Sequence, residues 1–281
     1  MSMEGFGFSV IIPTYNRAYI LKKAITSVYN QRTETDWELI IADDGSTDNT
    51  EELVRGFRDK RIKYLFQQNR GQSAARNLGL KHATKQWVVY LDSDNTLFPN
   101  YFGCVSQVIQ DYPTMLYAMV RVLKTYELYE NGKIIKNKKD RGKLLQLVTL
   151  QDLFFLKAIF DGNGFLHKRG LAEEIRWDEK LRVLDDWDFF MQIGERYPNN
   201  FVYIPEPVVD YRVRFGTDGI LSNTTYTQMA EAFEYVYQKH KNDKLLQGQT
   251  WYPAKVHYYI QRQKDFEAGK VPPHMRRYLR D

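Results

Sequence analysis

The sequence predicts an α/β fold: a Rossmann-like, mainly parallel sheet with helices on both faces, followed by a C-terminal helical tail. Three observations lead there. Short apolar runs rich in β-branched residues alternate with runs of helical periodicity over residues 8–94. Most of these strand-like runs end in polar residues, which places carboxylates at one edge of the sheet, where open α/β sheets bind their ligands. The chain has 281 residues, 43% hydrophobic and 27% charged, which is ordinary for a globular protein with a sizeable core.

Each element has its own signal. Phe8 to Ile12 is a short β-branched run ended by Pro13. Ile20, Leu21, Ala24, Ile25 and Val28 then recur at helical spacing, so a helix is expected over Ala18 to Gln31. Trp37 to Ala42 reads as a second strand. Gly45 allows a turn after it, and Ser46 to Asp48 can cap a helix running to about Phe57. Ile62 to Phe66 is the third strand, Ser73 to Ala83 the third helix, and Trp87 to Leu91 a fourth strand running into Asp92-Ser93-Asp94. A helix over Tyr101 to Gln110 and a strand near Met115 to Val122 follow. The basic, apolar-poor segment Gly132 to Lys143 is expected as an exposed loop or hairpin tip. After it come an apolar stretch (Leu147 to Phe160), a Gly162-Asn163-Gly164 turn, a strand at Phe165 to His167, a helix opened by Asp185-Asp186-Trp187-Asp188, and a strand at Val208 to Arg214. From Thr225 onward the chain reads as a basic helical tail.

Composition excludes several classes. One cysteine, Cys104, leaves no intramolecular disulfide and no Cys-rich zinc site, and suits a reducing compartment. Met1 to Gly7 has neither the basic nor the apolar region of a signal peptide, and no run of 18 apolar residues occurs, so a cytoplasmic location is expected. A net charge of +5 is too small to argue for nucleic acid, and suits a phosphate-bearing substrate or an anionic membrane surface.

Four constellations carry chemistry. Asp92 and Asp94, one residue apart at a strand end, can share a hard divalent cation whose other positions are open to water and diphosphate; they can equally cap the next helix. Pro13 to Arg17 and Asp43-Asp44 end adjacent strands and can form a base pocket, with a carboxylate accepting an imide N–H; the same residue types serve as turn punctuation. No glycine-rich phosphate loop follows the first strand, so diphosphate charge points back to a metal at Asp92 and Asp94. Small residues in Gly71 to Asn77 let a helix lie close to the sheet while Arg76 reaches the nucleotide edge, or stays a surface arginine. In Asp185 to Asp188 one carboxylate can act as general base, or the group simply caps a helix. Neighbouring acids would hinder that base unless a cation or donors intervene.

At these residues the sequence resembles a family 2 glycosyltransferase of the GT-A fold. The matching runs are SVIIPTYNR at 9–17, IADDGSTD at 41–48, Asn69 to Asn77, Leu91 to Asp94 and Asp185 to Asp188, in family order. The resemblance implies sugar transfer from a nucleoside diphosphate, most simply UDP, to a hydroxyl of a glycan or lipid-linked acceptor, with inversion and with manganese or magnesium. By resemblance, Pro13, Thr14 and Tyr15 line the base, Asp44 accepts from the uracil imide and Arg76 completes that pocket. Asp92 lies on the ribose and metal side, Asp94 ligates the metal, Asp186 is the base, and Asp185 supports it in the place of the usual Glu. The family often has Tyr-Arg-x-His near the end of its catalytic domain. Here Tyr211-Arg212-Val213-Arg214 puts a cation, Arg214, where a histidine would serve the metal or diphosphate.

Trp187, His167, the basic 132–143 segment and Leu147 to Phe160 are the acceptor-side candidates. The expected division is a catalytic domain over 1–222, with a nucleotide-binding half (1–98) and an acceptor-side half (99–222), and a basic helical extension over 223–281. The basic loop and tail could steer the enzyme to the inner face of an anionic membrane. Competing readings are a nucleotide-sugar-binding module without transfer, and a nucleotidyltransferase, which the missing glycine-rich loop disfavours.

Overall fold

The computed structural model describes residues 6–131, 133–140, 150, 162–215, 223–247 and 251–270. β1 (Gly7–Thr14) is buried along its whole length. It pairs in parallel with β2 (Asp36–Asp43) on one side and β4 (Trp87–Tyr90) on the other, and β3 (Ile62–Phe66) extends the parallel sheet beyond β2. A strand covered on both faces should be continuously apolar, as Val10-Ile11-Ile12 is. Alternation sorts these side chains. Val10 and Ile12 share a core with α1 (Ala18–Tyr29) and α4 (Tyr101–Asp111), while Ile11 shares the opposite core with Leu80 of α3 (Gln72–His82). Gly79 lets α3 close on the sheet, because a Cβ there would stand 2.5 Å from Ile11 Cγ2.

The sheet order starts β3-β2-β1-β4, so the winding reverses between β1 and β4. The crevice beyond the carboxyl ends of those strands is where such sheets take ligands. Beyond β4 the sheet is mixed, which narrows the mainly parallel expectation to the first half. β8 (Phe165–Lys168) runs antiparallel to β4 and to β6 (Tyr117–Glu130). β9 (Phe201–Phe215) is parallel to β6, and β5 (Thr96–Leu97) is antiparallel to β9. Parallel neighbours need a crossover connection, and the strict strand–helix alternation that supplies it ends at α4.

The lysine-rich segment is a hairpin arm: β7 (Lys133–Asp140) pairs antiparallel with β6, and Lys133, Lys136, Lys138 and Lys139 are exposed. Residues 141–143 and, apart from Leu150, the apolar Leu147 to Phe160 stretch lie outside the described residues. Between β1 and β3, Asp48 accepts from Thr50 N and Oγ1 at the start of α2 (Thr50–Arg55).

The site side of the second half carries α5 (Asp185–Arg196). The C-terminal segment forms α6 (Tyr226–His240), opened by a reciprocal Thr225/Gln228 capping box, and α7 (Trp251–Glu267). Met229, Phe233 and Val236 of α6 are buried in one cluster with Trp177, Phe189 and Tyr90. The expected appended tail is thus, over α6, a layer of the core; the 229/233/236 spacing is one apolar helix face.

Candidate active site

The end of β1 buries Pro13 and Thr14, and the loop after it exposes Tyr15, at 48%. Asn16 takes a left-handed backbone (φ 51°), with its N–H donating to Ser46 Oγ at 2.8 Å and its Oδ1 accepting from Thr47 N at 2.8 Å. The loop after β1 is therefore stitched to the loop after β2. That second loop turns at Gly45 (φ 90°), where a Cβ would lie 2.9 Å from Asn69 N. Asp44 accepts from Gln67 Nε2 (2.7 Å), Arg70 N (2.9 Å) and Gly71 N (2.7 Å), so it shapes the segment that starts α3. An ionised carboxylate has about four acceptor positions, and these bonds leave one for a ligand.

Arg76 departs from expectation. It is 3% exposed; Nη2 donates to Asp92 Oδ1 at 2.9 Å, Nη1 makes a short ion pair with Asp185 Oδ2, and the guanidinium lies 4.4 Å from the Trp177 ring centroid. A side chain spent in this way does not line a base. It joins the strand-end aspartate to the start of α5. Ser73 Oγ and Gln72 Nε2 donate to the same Asp185 oxygen at 3.0 and 3.1 Å. Burial pushes the Asp185 carboxyl up and the charge of Arg76 opposes it; with three donors on one oxygen we assign the ionised pair.

Asn163 clamps Asp92 from the other side. Its Oδ1 accepts from Asp92 N and its Nδ2 donates to Asp92 Oδ2, both at 2.7 Å. The adjoining Gly162 N donates to Asp186 Oδ2 at 3.2 Å. Asp186 Oδ1 accepts from Trp187 N at 2.8 Å, so both oxygens of the expected base meet backbone N–H groups. The residue before α5, Leu184, is left-handed (φ 61°), a conformation that costs a side-chain-bearing residue roughly 1–2 kcal/mol. The packed surroundings hold it there and so set where the helix starts.

Asp94 Oδ2 accepts from Arg17 Nη1 at 2.9 Å. Burial pushes the Asp94 carboxyl up, Arg17 opposes, and Asp92 adds to the rise; Arg214 contributes a second opposing positive charge. Arg214 Nη1 donates to Tyr19 OH at 3.2 Å, and its guanidinium lies 4.8 Å from the Tyr129 ring centroid. Among the described residues no group of three or more His, Cys, Asp or Glu could hold a metal. The donor set fits an ion bound through one or two carboxylates plus substrate phosphates, as magnesium commonly is. Asp94 and Asp92 are the two carboxylates that could hold such an ion.

Two acceptor-side expectations are corrected. His167 is fully buried on β8, where Nδ1 donates to the Lys168 carbonyl (2.8 Å) and Nε2 accepts from Tyr90 OH (3.1 Å). It is a satisfied core histidine. Trp187 is 3% exposed in the cluster with Trp177 and Phe189, and offers no face to a sugar.

With this geometry in view, residues 9–176 match the profile of the family described as Glycosyl transferase family 2. The chain belongs to that family. It is 26% identical over 260 residues to the Minor teichoic acid biosynthesis protein GgaA of Bacillus subtilis, covering 90% of this chain and 52% of that protein. It is 33% identical over 178 residues to the GalNAc(5)-diNAcBac-PP-undecaprenol beta-1,3-glucosyltransferase of Campylobacter jejuni, covering 62% of this chain and 55% of the relative. This family 2 chain thus spans about half the length of these relatives. Its fold is that of S. aureus TarS 1-349, solved with UDP-GlcNAc: TM-score 0.68 at 19% identity, over 93% of this chain and 73% of that one. No described helix is long and apolar enough to cross a membrane.

Sequence reasoning missed Asn163, the Arg17–Asp94 pair and the partners of Asp188. The Gly162-Asn163-Gly164 turn was visible, but nothing local says that its asparagine reaches back 71 residues to Asp92.

Proposed function

We propose that this protein is an inverting glycosyltransferase that moves a sugar from a UDP-linked donor to a hydroxyl of a glycan or lipid-linked acceptor. One observation supports the reading above all: Arg76 and the Gly162-Asn163 pair join Asp92 to Asp185 and Asp186, the closeness that a donor side and a base acting together require. The relative named as a glucosyltransferase on an undecaprenol-linked substrate and the structural neighbour holding UDP-GlcNAc support the donor and acceptor classes.

Tyr15 and Pro13 flank the base, Thr14 closes the floor of that pocket, and Asp44 accepts the imide N–H. Asp94, with Asp92 beside it, holds manganese or magnesium, which when bound offsets charge on the diphosphate leaving group. Arg17 and Arg214 add cationic charge on the same side. The acceptor oxygen attacks the anomeric carbon as the bond to the diphosphate breaks, and Asp186 takes the hydroxyl proton. The exposed lysines of β7 and the basic extension steer the protein to an anionic membrane surface; vesicle binding that weakens with salt supports this, and no binding at low salt rejects it.

The test is nucleotide release from UDP-, dTDP-, GDP- and CMP-sugars with manganese, magnesium or EDTA. Release from a UDP-sugar that requires metal supports the reading. Binding of UDP with no donor consumed, across an acceptor panel, would make the chain a binding module.

A further inference from the structure

Asp188, two residues after the proposed base, is 0% exposed. Gln192 of α5 donates to its Oδ2 at 2.8 Å, and α6 supplies cations. His240 Nε2 lies 2.8 Å from Oδ1, and Lys239 Nζ lies 2.8 Å from Oδ1 and 2.9 Å from Oδ2. Lys239 also reaches Asp178 Oδ2 at 2.9 Å, which Tyr235 OH shares at 2.9 Å, and His240 Nδ1 lies 2.6 Å from Asp243 Oδ2. We propose that Lys239 and His240 of the C-terminal extension are positioning residues for the base: they pin and neutralise Asp188, and so fix the first turn of α5 and the placement of Asp186.

Asp185, Asp186 and Asp188 stand together in the first turn of one helix, and like charges so placed oppose one another's ionisation. Asp185 is answered by Arg76 and Asp188 by Lys239 and His240, so two of the three neighbouring acids are held in ion pairs. The first turn of α5 is thereby gripped from the nucleotide half on one side and from the extension on the other. The groups facing His240 are Asp188 from α5 and Asp243 from the turn after α6, with Lys239 beside it and Asp178 and Tyr235 beyond Lys239. Burial pulls the imidazole down, but Asp188 and Asp243 outweigh it, so His240 keeps its proton above the ordinary value of 6.5. Once the proton leaves, the ring retains one N–H and cannot donate to both carboxylates.

The inference rests on the assignment of Asp186 as base, so the test has an arm that does not need turnover. In the full chain, Lys239→Met, His240→Phe and His240→Gln are compared by hydrogen exchange of the α5 first turn, by UDP affinity, and by kcat and KM for donor turnover. Lys239→Met and His240→Phe should speed exchange at the α5 first turn but not in β1 to β4, and lower kcat on the order of 10- to 100-fold, as misplacement of a reacting group does, with UDP affinity unchanged. His240→Gln, which keeps a side-chain N–H for Asp188, should recover most of both and lose the fall in kcat as pH rises through the His240 titration. Wild-type exchange at α5 and wild-type kcat in Lys239→Met and His240→Phe would overturn the proposal, as would lowered thermal stability with kcat and its pH profile intact. If the wild type turns over no donor, the base assignment fails, while the exchange arm still decides the anchor. Should His240→Phe not fold, Lys239→Met decides it.

Discussion

Asp185 at the start of α5 is ion-paired with Arg76 of α3 across 109 residues of sequence, and both side chains are no more than 5% exposed. Removing one partner from such a pair strands the other charge in the interior. Arg76→Met should therefore cost about 3–5 kcal/mol, because Asp185 and Asp92 both lose their cation. Denaturant unfolding checks this. Adding Asp185→Asn should return part of the loss, since the two residues share one interaction; full additivity would contradict the bridge.

The Arg17–Asp94 pair is partly accessible, with side chains 14% and 16% exposed, and on the proposed reading its arginine belongs to the diphosphate side. Arg17→Ala should weaken UDP binding by roughly tenfold, the scale of a hydrogen bond to a charged group, and leave uridine binding unchanged. Calorimetry with both ligands separates the outcomes. An equal effect on uridine would place Arg17 at the base instead.

Arg214→Ala should act in the same direction through its charge near Asp94. Unchanged UDP affinity together with unchanged turnover would remove Arg214 from the site.

His167 makes an acid-stability prediction. Burial pulls its imidazole down to about 4, against 6.5 in the unfolded chain. Below 6.5 the unfolded state takes up a proton that the native state refuses, so stability falls as pH drops from 6.5 to about 4, by roughly 3 kcal/mol in all. His167→Phe keeps a ring among Tyr90, Phe165 and Phe189 and does not titrate. Urea unfolding across that pH range should show a shallower decline for the variant.

Much of the nucleotide half was legible because its signals are local. β3 falls on Ile62–Phe66 as expected, α1 begins at Ala18 as expected, and Asp44 and Asp94 follow the strands that periodicity marks. The second half yields less, because its logic is long-range. A lone arginine such as Arg76 reads as a nucleotide-edge or a surface residue until its partners are known, and they lie 16 and 109 residues away. Trp187 lies inside the Asp185 to Asp188 motif and His167 shortly after the Gly162-Asn163-Gly164 turn, yet both point into the core, a choice set by the register of β8 against β4 and by the apolar face of α5. Asp188 meets a helix that reads, in sequence, only as a basic tail.

On the proposed reading, the contacts joining the motifs bring Asp186, as base, to a nucleotide-sugar site built around Asp94. The most direct measurement is turnover of a UDP-sugar by Asp186→Asn alongside its affinity for UDP. The account predicts a fall in kcat on the order of 10²- to 10⁴-fold, the usual worth of a positioned general base, with UDP affinity unchanged. Wild-type kcat in Asp186→Asn would contradict it.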